Sequence, residues 1–140
     1  MSENYKILGK FIKDMSSETP DVETFIFVKE IISKYQLSID ITSKPLKDKV
    51  VEVNTTLKFQ DKENNEKKSN FEIVFATIIK VTDEVKDKKV IEKIILCDVQ
   101  KEIYPDIENS LLNLLHNSGY PGIKFEKKVD FEKLYNQRFN

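Results

Sequence analysis

The sequence predicts an α+β fold, a four-stranded antiparallel sheet followed by helices. Three observations carry that prediction. From Tyr35 the residues alternate, with Tyr35, Leu37, Ile39 and Ile41 on one side and Gln36, Ser38 and Asp40 on the other, which is the period of a half-buried strand. The runs VVEVNTTLKFQ and FEIVFATIIKV flank DKENNEKKSN (61–70), a stretch with almost nothing to bury that reads as a solvated hairpin connection. In the last third the apolar spacing becomes helical, at Ile103, Ile107, Leu111 and Leu114.

The first strand, YKILGKFIKDM, carries Gly9 in its middle, where glycine marks a bulge or a close backbone approach. Beyond it the alternation puts Lys10 and Asp14 on one face, Phe11 and Met15 on the other. The strand ends in FIKDMSSETP, an acidic, hydroxyl-rich corner closed by Pro20 that displays Asp14 and Glu18 to solvent. A long crossover from Pro20 to Lys34 contains the apolar cluster FIFV (25–28). Val51, Val53, Leu57 and Phe59 then share one side of a strand. In the strand after the connection, Phe71, Ile73, Phe75 and Ile79 share one face, and Val74, Ala76 and Ile78 make the other face apolar too. Such a strand is central, or one face meets a partner.

The stretch VIEKIIL (90–96) reads as helix. The long helix has Pro105 in its first turn and Gly119 as the residue that ends it. Leu112 and Leu115 widen its stripe; at about 100° per residue the apolar arc covers roughly half the circumference, more than a surface helix needs for its own core. The surplus predicts a second partner, most simply another copy of the chain. After SGYPG, Asp130 is placed to cap a last helix, Glu132 suits its positive end, and Val129 with Leu134 forms a hydrophobic staple. Phe131, Leu134 and Tyr135 give that helix one apolar face.

With 140 residues, 34% charged and 39% hydrophobic, the chain is long enough for one globular domain with a real core. A formal net charge of −1 gives no general pull towards nucleic acid or anionic lipid. Lys6, Lys10 and Lys13 are interleaved with acids and apolar residues and form no basic stripe. A single cysteine, Cys97, allows no internal disulfide, and neither a signal-like apolar stretch nor a membrane span is evident, so a cytoplasmic location is expected.

Catalytic groupings are scarce. His116, the sole histidine, lies near the negative end of the long helix and reads as a solvent-facing or capping residue. A Cys97–His116 nucleophile and base has no support in the spacing, and a cysteine within IILCDV reads as a small buried apolar group. No Cys/His set suits zinc, DKENNE lacks the spacing and glycine of a calcium loop, and three glycines allow no phosphate-cradling loop. Neither an enzyme nor a cofactor is expected.

KDMSSETP (13–20) resembles the K-D-[IM]-S-x-E-x-P corner near the start of SecB, the export chaperone. YQLSID is similar to that family's groove-lining strand, and GYPGIKFEKKVDFEKLY (119–135) to its closing segment. Tyr104 and Pro105 match the aromatic and proline of its long helix. The resemblance runs in order over nearly the whole chain, so residues 1–140 are expected to form one SecB-like domain. It implies helices packed on one side of the sheet and a homotetramer, a dimer of dimers joined through the long helix, with Ile107, Leu111, Leu112 and Leu115 at the interface.

The resemblance also implies a function: holding unfolded secretory precursor proteins and delivering them to the SecA motor. Asp14 and Glu18 match acids that contact SecA, and Glu72 is the nearest candidate for an acid the family carries close to Val74. The implied client groove has Tyr35, Leu37 and Ile39 with Phe71, Ile73 and Phe75 as its floor, closed by Phe27, Ile31 and Phe131. Two rival readings stand beside this one. A chaperone of the same fold dedicated to one partner, such as an antitoxin, would keep the groove but need no SecA contact. A small α+β ligand-binding protein or enzyme would have a closed apolar cavity, against which the lack of converging polar residues counts.

Overall fold

The computed structural model describes residues 4–63, 65–125 and 129–139. Asn64 of the connection and residues 126–128 of the closing segment lie outside the described residues. Strands β1 (Tyr5–Glu18), β2 (Gln36–Pro45), β3 (Val50–Gln60) and β4 (Asn70–Val81) form an antiparallel four-stranded sheet in the order β1-β4-β3-β2. The strand that is apolar on both sides, β4, is an inner one, as the sequence predicts. One sheet face packs on helices, because the odd-numbered residues of β4 from Phe71 to Val81 are all buried. The opposite face carries Glu72, Val74, Ile78 and Lys80, all at least partly exposed.

Strand β1 departs from simple alternation. Its pairing with β4 slips between Ile7 and Gly9 and again between Ile12 and Asp14, which makes Leu8 and Lys13 the extra residues of two bulges. The first is the one that Gly9 announces. The second corrects the expected faces, because one inserted residue sends the side chains after it to the other side. Lys10 pairs with Thr77 on the helix-covered face, and its ammonium reaches Asp106 at 2.6 Å, while Asp14 pairs with Val74 on the open face. Phe11 and Met15 are likewise separated, opposite Ala76 and Ile73.

The crossover is a helix, α1 (Val22–Ile31), followed by a 3-10 turn at Ile32–Lys34. Asp21 caps it, accepting a 2.7 Å hydrogen bond from the Thr24 amide. The sequence hides this helix because the consecutive apolar residues Phe25 to Val28 show no period. Later, α2 (Lys88–Lys93) runs through a wide π turn, Ile94–Asp98, into α3 (Val99–Asn117). Pro105 therefore lies well inside α3 and not in its first turn. Gln100, fully buried, supports the wide turn: its amide donates to the Ile95 carbonyl at 3.1 Å, and its oxygen accepts from the Thr55 hydroxyl at 2.9 Å. The last helix is α4 (Phe131–Phe139), capped by Asp130, which accepts from the Lys133 amide at 3.1 Å.

The core forms where Val99, Ile103, Ile107, Leu111 and Leu115 of α3 meet Val53, Leu57, Ile73 and Ile79 of the sheet, all of them fully enclosed. Helix α3 ends in a Schellman closure, with the Tyr120 amide bonded to the Leu115 carbonyl at 2.9 Å and the Gly119 amide to that of His116 at 3.2 Å. Gly119 has φ of +101°, and a Cβ there would stand 2.5 Å from the Phe25 ring. Gly119→Ala should lower unfolding free energy by about 2 kcal/mol, from left-handed strain plus displacement of that ring. Urea denaturation is the check, and an unchanged midpoint would remove Gly119 from this role.

Candidate functional site

A cleft of about 970 Å³ opens beside β2, an edge strand. Alternation places Tyr35, Leu37 and Ile39 along its floor with Phe59 from β3. The opposite wall is the segment after α3, including Ile123 and Phe125, whose ring meets Phe59 edge-on at 5.5 Å. From Phe59 the aromatic contacts continue to Tyr35 at 5.3 Å and Phe71 at 6.4 Å, so the cleft floor is continuous with the core. Among the described residues, the charged side chain lining it is Lys124, beside the polar Ser33 and Gln36. Leu37, Ile39, Ile123, Phe125 and Val129 are only partly buried. A surface like this can cover apolar side chains at roughly 25 cal/mol per Å², with little demand on their order.

The structure divides the expected groove residues. Tyr35, Leu37 and Ile39 line the cleft. Phe71, Ile73 and Phe75 do not; they lie 0–6% exposed on the helix-covered face and belong to the core. Phe131 is also enclosed, its ring 5.4 Å from Tyr104. Phe27 and Ile31 are half-buried on α1 and pack against the core cluster. Phe59, Ile123 and Phe125 complete the cleft and were missed. Alternation had placed Phe59 with Leu57 and Val53, but nothing in IKF (123–125) showed that it would fold back over β2.

The long helix needs a similar correction. Ile107, Leu111 and Leu115 are fully enclosed by the chain's own fold, leaving nothing for a second subunit to touch. Of the four residues expected at an interface, Leu112 keeps part of its surface. Larger apolar exposure lies on the edge strand β1, at Leu8, Phe11, Ile12 and Met15, each 43–52% exposed. The three acids do come together. Asp14, Glu18 and Glu72 share the open sheet face, with Asp14 opposite Val74, Glu18 opposite Asn70 and Glu72 opposite Ser16. Glu72 faces the Lys58 ammonium at 3.6 Å, and Lys13 spans the central strand to Glu52 at 3.0 Å. Two hydrogen bonds, first from Asn54 and then from Lys13, hold the Glu52 carboxyl below its ordinary range.

Residues 1–140 match the family described as preprotein translocase subunit SecB. The chain belongs to the SecB family. It is 62% identical over 140 residues to a Pelagibacter ubique protein provisionally named protein-export protein SecB, covering 100% of both chains. It is 20% identical over 132 residues to the protein-export protein SecB of Mesorhizobium japonicum, covering 94% of this chain and 77% of that one. Its fold is similar to that of a Mycobacterium tuberculosis SecB-like chaperone solved in complex with a ChAD peptide from the HigA1 antitoxin. The TM-score there is 0.66 at 10% identity, covering 89% of this chain and 91% of that one.

SecB membership makes the chain a protein-export chaperone and not an enzyme. The side chains agree with that: burial encloses Cys97 and raises its thiol pKa, while His116 is exposed at the far end of the same helical run. Among the described residues no His, Cys, Asp and Glu cluster could hold a metal, and no helix is long and apolar enough to cross a membrane.

Two measurements check the division between cleft and core. Leu37→Ser should cost less than about 1 kcal/mol of stability, whereas Ile73→Ala should cost about 3 kcal/mol; equal losses in denaturant titrations would place Leu37 in the core. Burial raises the phenol pKa of Tyr35, Tyr5 and Tyr104, the last to about 12. A raised folded-state value means that the protonated phenols favour the fold below the usual tyrosine pKa of about 10 and that this support is lost as pH climbs further. Tyrosinate absorbance should therefore stay incomplete just above that pH and finish only with unfolding.

Proposed function

We propose that this SecB-family chain is a holdase that takes apolar segments of unfolded precursor proteins into the β2 cleft and passes them to SecA in the cytoplasm. The half-exposed apolar cleft on an edge strand carries the reading. Among the described residues its lining has no converging polar or titratable set that would suit one small ligand or a reaction. An unfolded client offers apolar side chains at irregular spacing, and several weak cleft contacts along one chain add through effective concentration.

Assembly as a homotetramer, a dimer of dimers, would supply those repeated clefts. Support comes from β1, a 14-residue edge strand whose exposed Leu8, Phe11, Ile12 and Met15 are a liability in an isolated subunit. Asp14, Glu18 and Glu72 are the proposed SecA contacts. They lie on the open face, away from the helix-covered side, and Asp14 and Glu18 make no ion pair among the described residues. At a net charge of −1 long-range steering is weak, so the contact would depend on these local acids. A chaperone dedicated to one partner would share the cleft and have no use for the acids.

Calorimetric titration with an unfolded secretory precursor and with its folded form tests the reading. Binding confined to the unfolded form is expected; equal binding, or none, would remove it. Asp14→Lys with Glu18→Lys should weaken SecA binding at least about tenfold while leaving precursor binding unchanged, and retention of SecA affinity would favour the dedicated chaperone. Light scattering at micromolar concentration should report four copies, and a stable monomer would contradict the assembly.

A further inference from the structure

Ser69 lies at the end of a connection that the sequence describes as having little to bury, yet it is fully enclosed. Three other segments meet on it. The Tyr35 hydroxyl donates to the Ser69 carbonyl at 2.8 Å and accepts from the Ser69 amide at 3.1 Å, so one phenol satisfies both backbone groups. The Ser69 hydroxyl is shared with the Thr19 hydroxyl at 2.7 Å and the Tyr120 hydroxyl at 3.2 Å.

Each partner leads to a different part of the proposed machinery. Tyr35 is part of the cleft floor. Tyr120 is enclosed, with its ring against Phe71 at 5.6 Å and Phe25 at 5.2 Å, and the chain just beyond it forms the opposite wall from Gly122 onward. Thr19 follows Glu18 directly and does not line the cleft. The end of β1 is fastened a second time where the Ser17 and Ser118 hydroxyls meet at 2.7 Å.

We propose that Ser69 is a positioning residue that fixes the spacing of the two cleft walls and couples the acidic β1 corner to the cleft through Thr19. Ser69 would touch no client. The Thr19 and Tyr120 hydroxyls share the Ser69 hydroxyl while Tyr35 holds the Ser69 backbone, so a shift at Thr19 that moves Ser69 is passed to Tyr120 through the hydroxyl and to Tyr35 through the main chain. Coupling of this kind is reciprocal: a partner held at the corner alters cleft affinity, and an occupied cleft alters the affinity of the corner. The inference rests on the holdase reading for its consequence, but its geometry can be tested without a client.

The experiment uses the full chain with Ser69→Ala, Thr19→Val and the two combined. Hydrogen exchange in the free protein is read at Leu37 to Ile39 and at Ile123 to Phe125. Reduced, carboxymethylated α-lactalbumin serves as the unfolded probe. Each single change should speed exchange at Ile123 to Phe125 about fivefold or more and weaken probe binding by a similar factor, with a smaller gain at Leu37 to Ile39, where Tyr35 keeps its two bonds to the Ser69 backbone. The double variant should be no worse than Ser69→Ala alone, since that change already removes the Thr19–Ser69 hydroxyl bond. Should Ser69→Ala fail to fold, Tyr120→Phe removes one hydroxyl of the network and should quicken exchange at the Ile123 wall. Unchanged wall exchange in folded Thr19→Val, even with a lower melting temperature, would overturn the proposal and leave Ser69 a purely structural residue. A wild-type chain that ignores the probe would end the holdase reading, and the exchange data would still decide the role of Ser69.

Discussion

The seam between α3 and the two inner strands is the contact on which the rest of the molecule depends. Val99, Ile103, Ile107, Leu111 and Leu115 recur every fourth residue and lie against β3 and β4, so the helix covers the inner strands and reaches the β1 edge mainly through the polar contacts of Tyr5 with Glu102 and Lys10 with Asp106. At each edge apolar surface is left over. On the β1 side it appears as Ile12 and Met15, opposite Phe75 and Ile73. On the β2 side it is only partly roofed by the chain after α3, and the cleft is what remains. Both uncovered strips follow from the same geometric fact, that a helix is narrower than a four-stranded sheet.

That division separates stability from function. Residues on the seam are enclosed and replaceable only at a cost to folding, while those at the β2 edge are half-covered and free to exchange solvent for another chain. The lining of the cleft is apolar with few polar groups, which suits covering many different sequences and discriminates poorly among them. The acids of the open face lie on the other side of the sheet from the cleft, so the client capture and partner docking proposed for them would not compete for space. The Ser69 network ends at Thr19, the residue next to Glu18 of that open face.

Much of this was legible in the sequence. The period of two fixed β2, β3 and β4 closely, the apolar character of both faces of β4 foretold its inner position, and Gly9 and Gly119 marked a bulge and a helix end. Three features were hidden. The Lys13 bulge has no glycine to announce it, and it moved Asp14 away from Lys10. Helix α1 is masked by four consecutive apolar residues. The wide arc of the long helix predicted a subunit interface, but its Ile107, Leu111 and Leu115 are taken up by the chain's own fold, since periodicity shows which side is apolar and not what covers it. The same blindness put Phe71, Ile73 and Phe75 in the groove and left out Phe59, Ile123 and Phe125, which only the folded path of the chain brings together.

The central claim is that the β2 edge, and not the enclosed face beneath α3, receives other chains. Methyl-resolved NMR during titration with an unfolded polypeptide tests it most directly. The account predicts that Leu37, Ile39 and Ile123 methyls shift and broaden first, while those of Ile73, Ile103 and Leu111 keep their positions. Early movement of the enclosed methyls, with the edge unaffected, would contradict it.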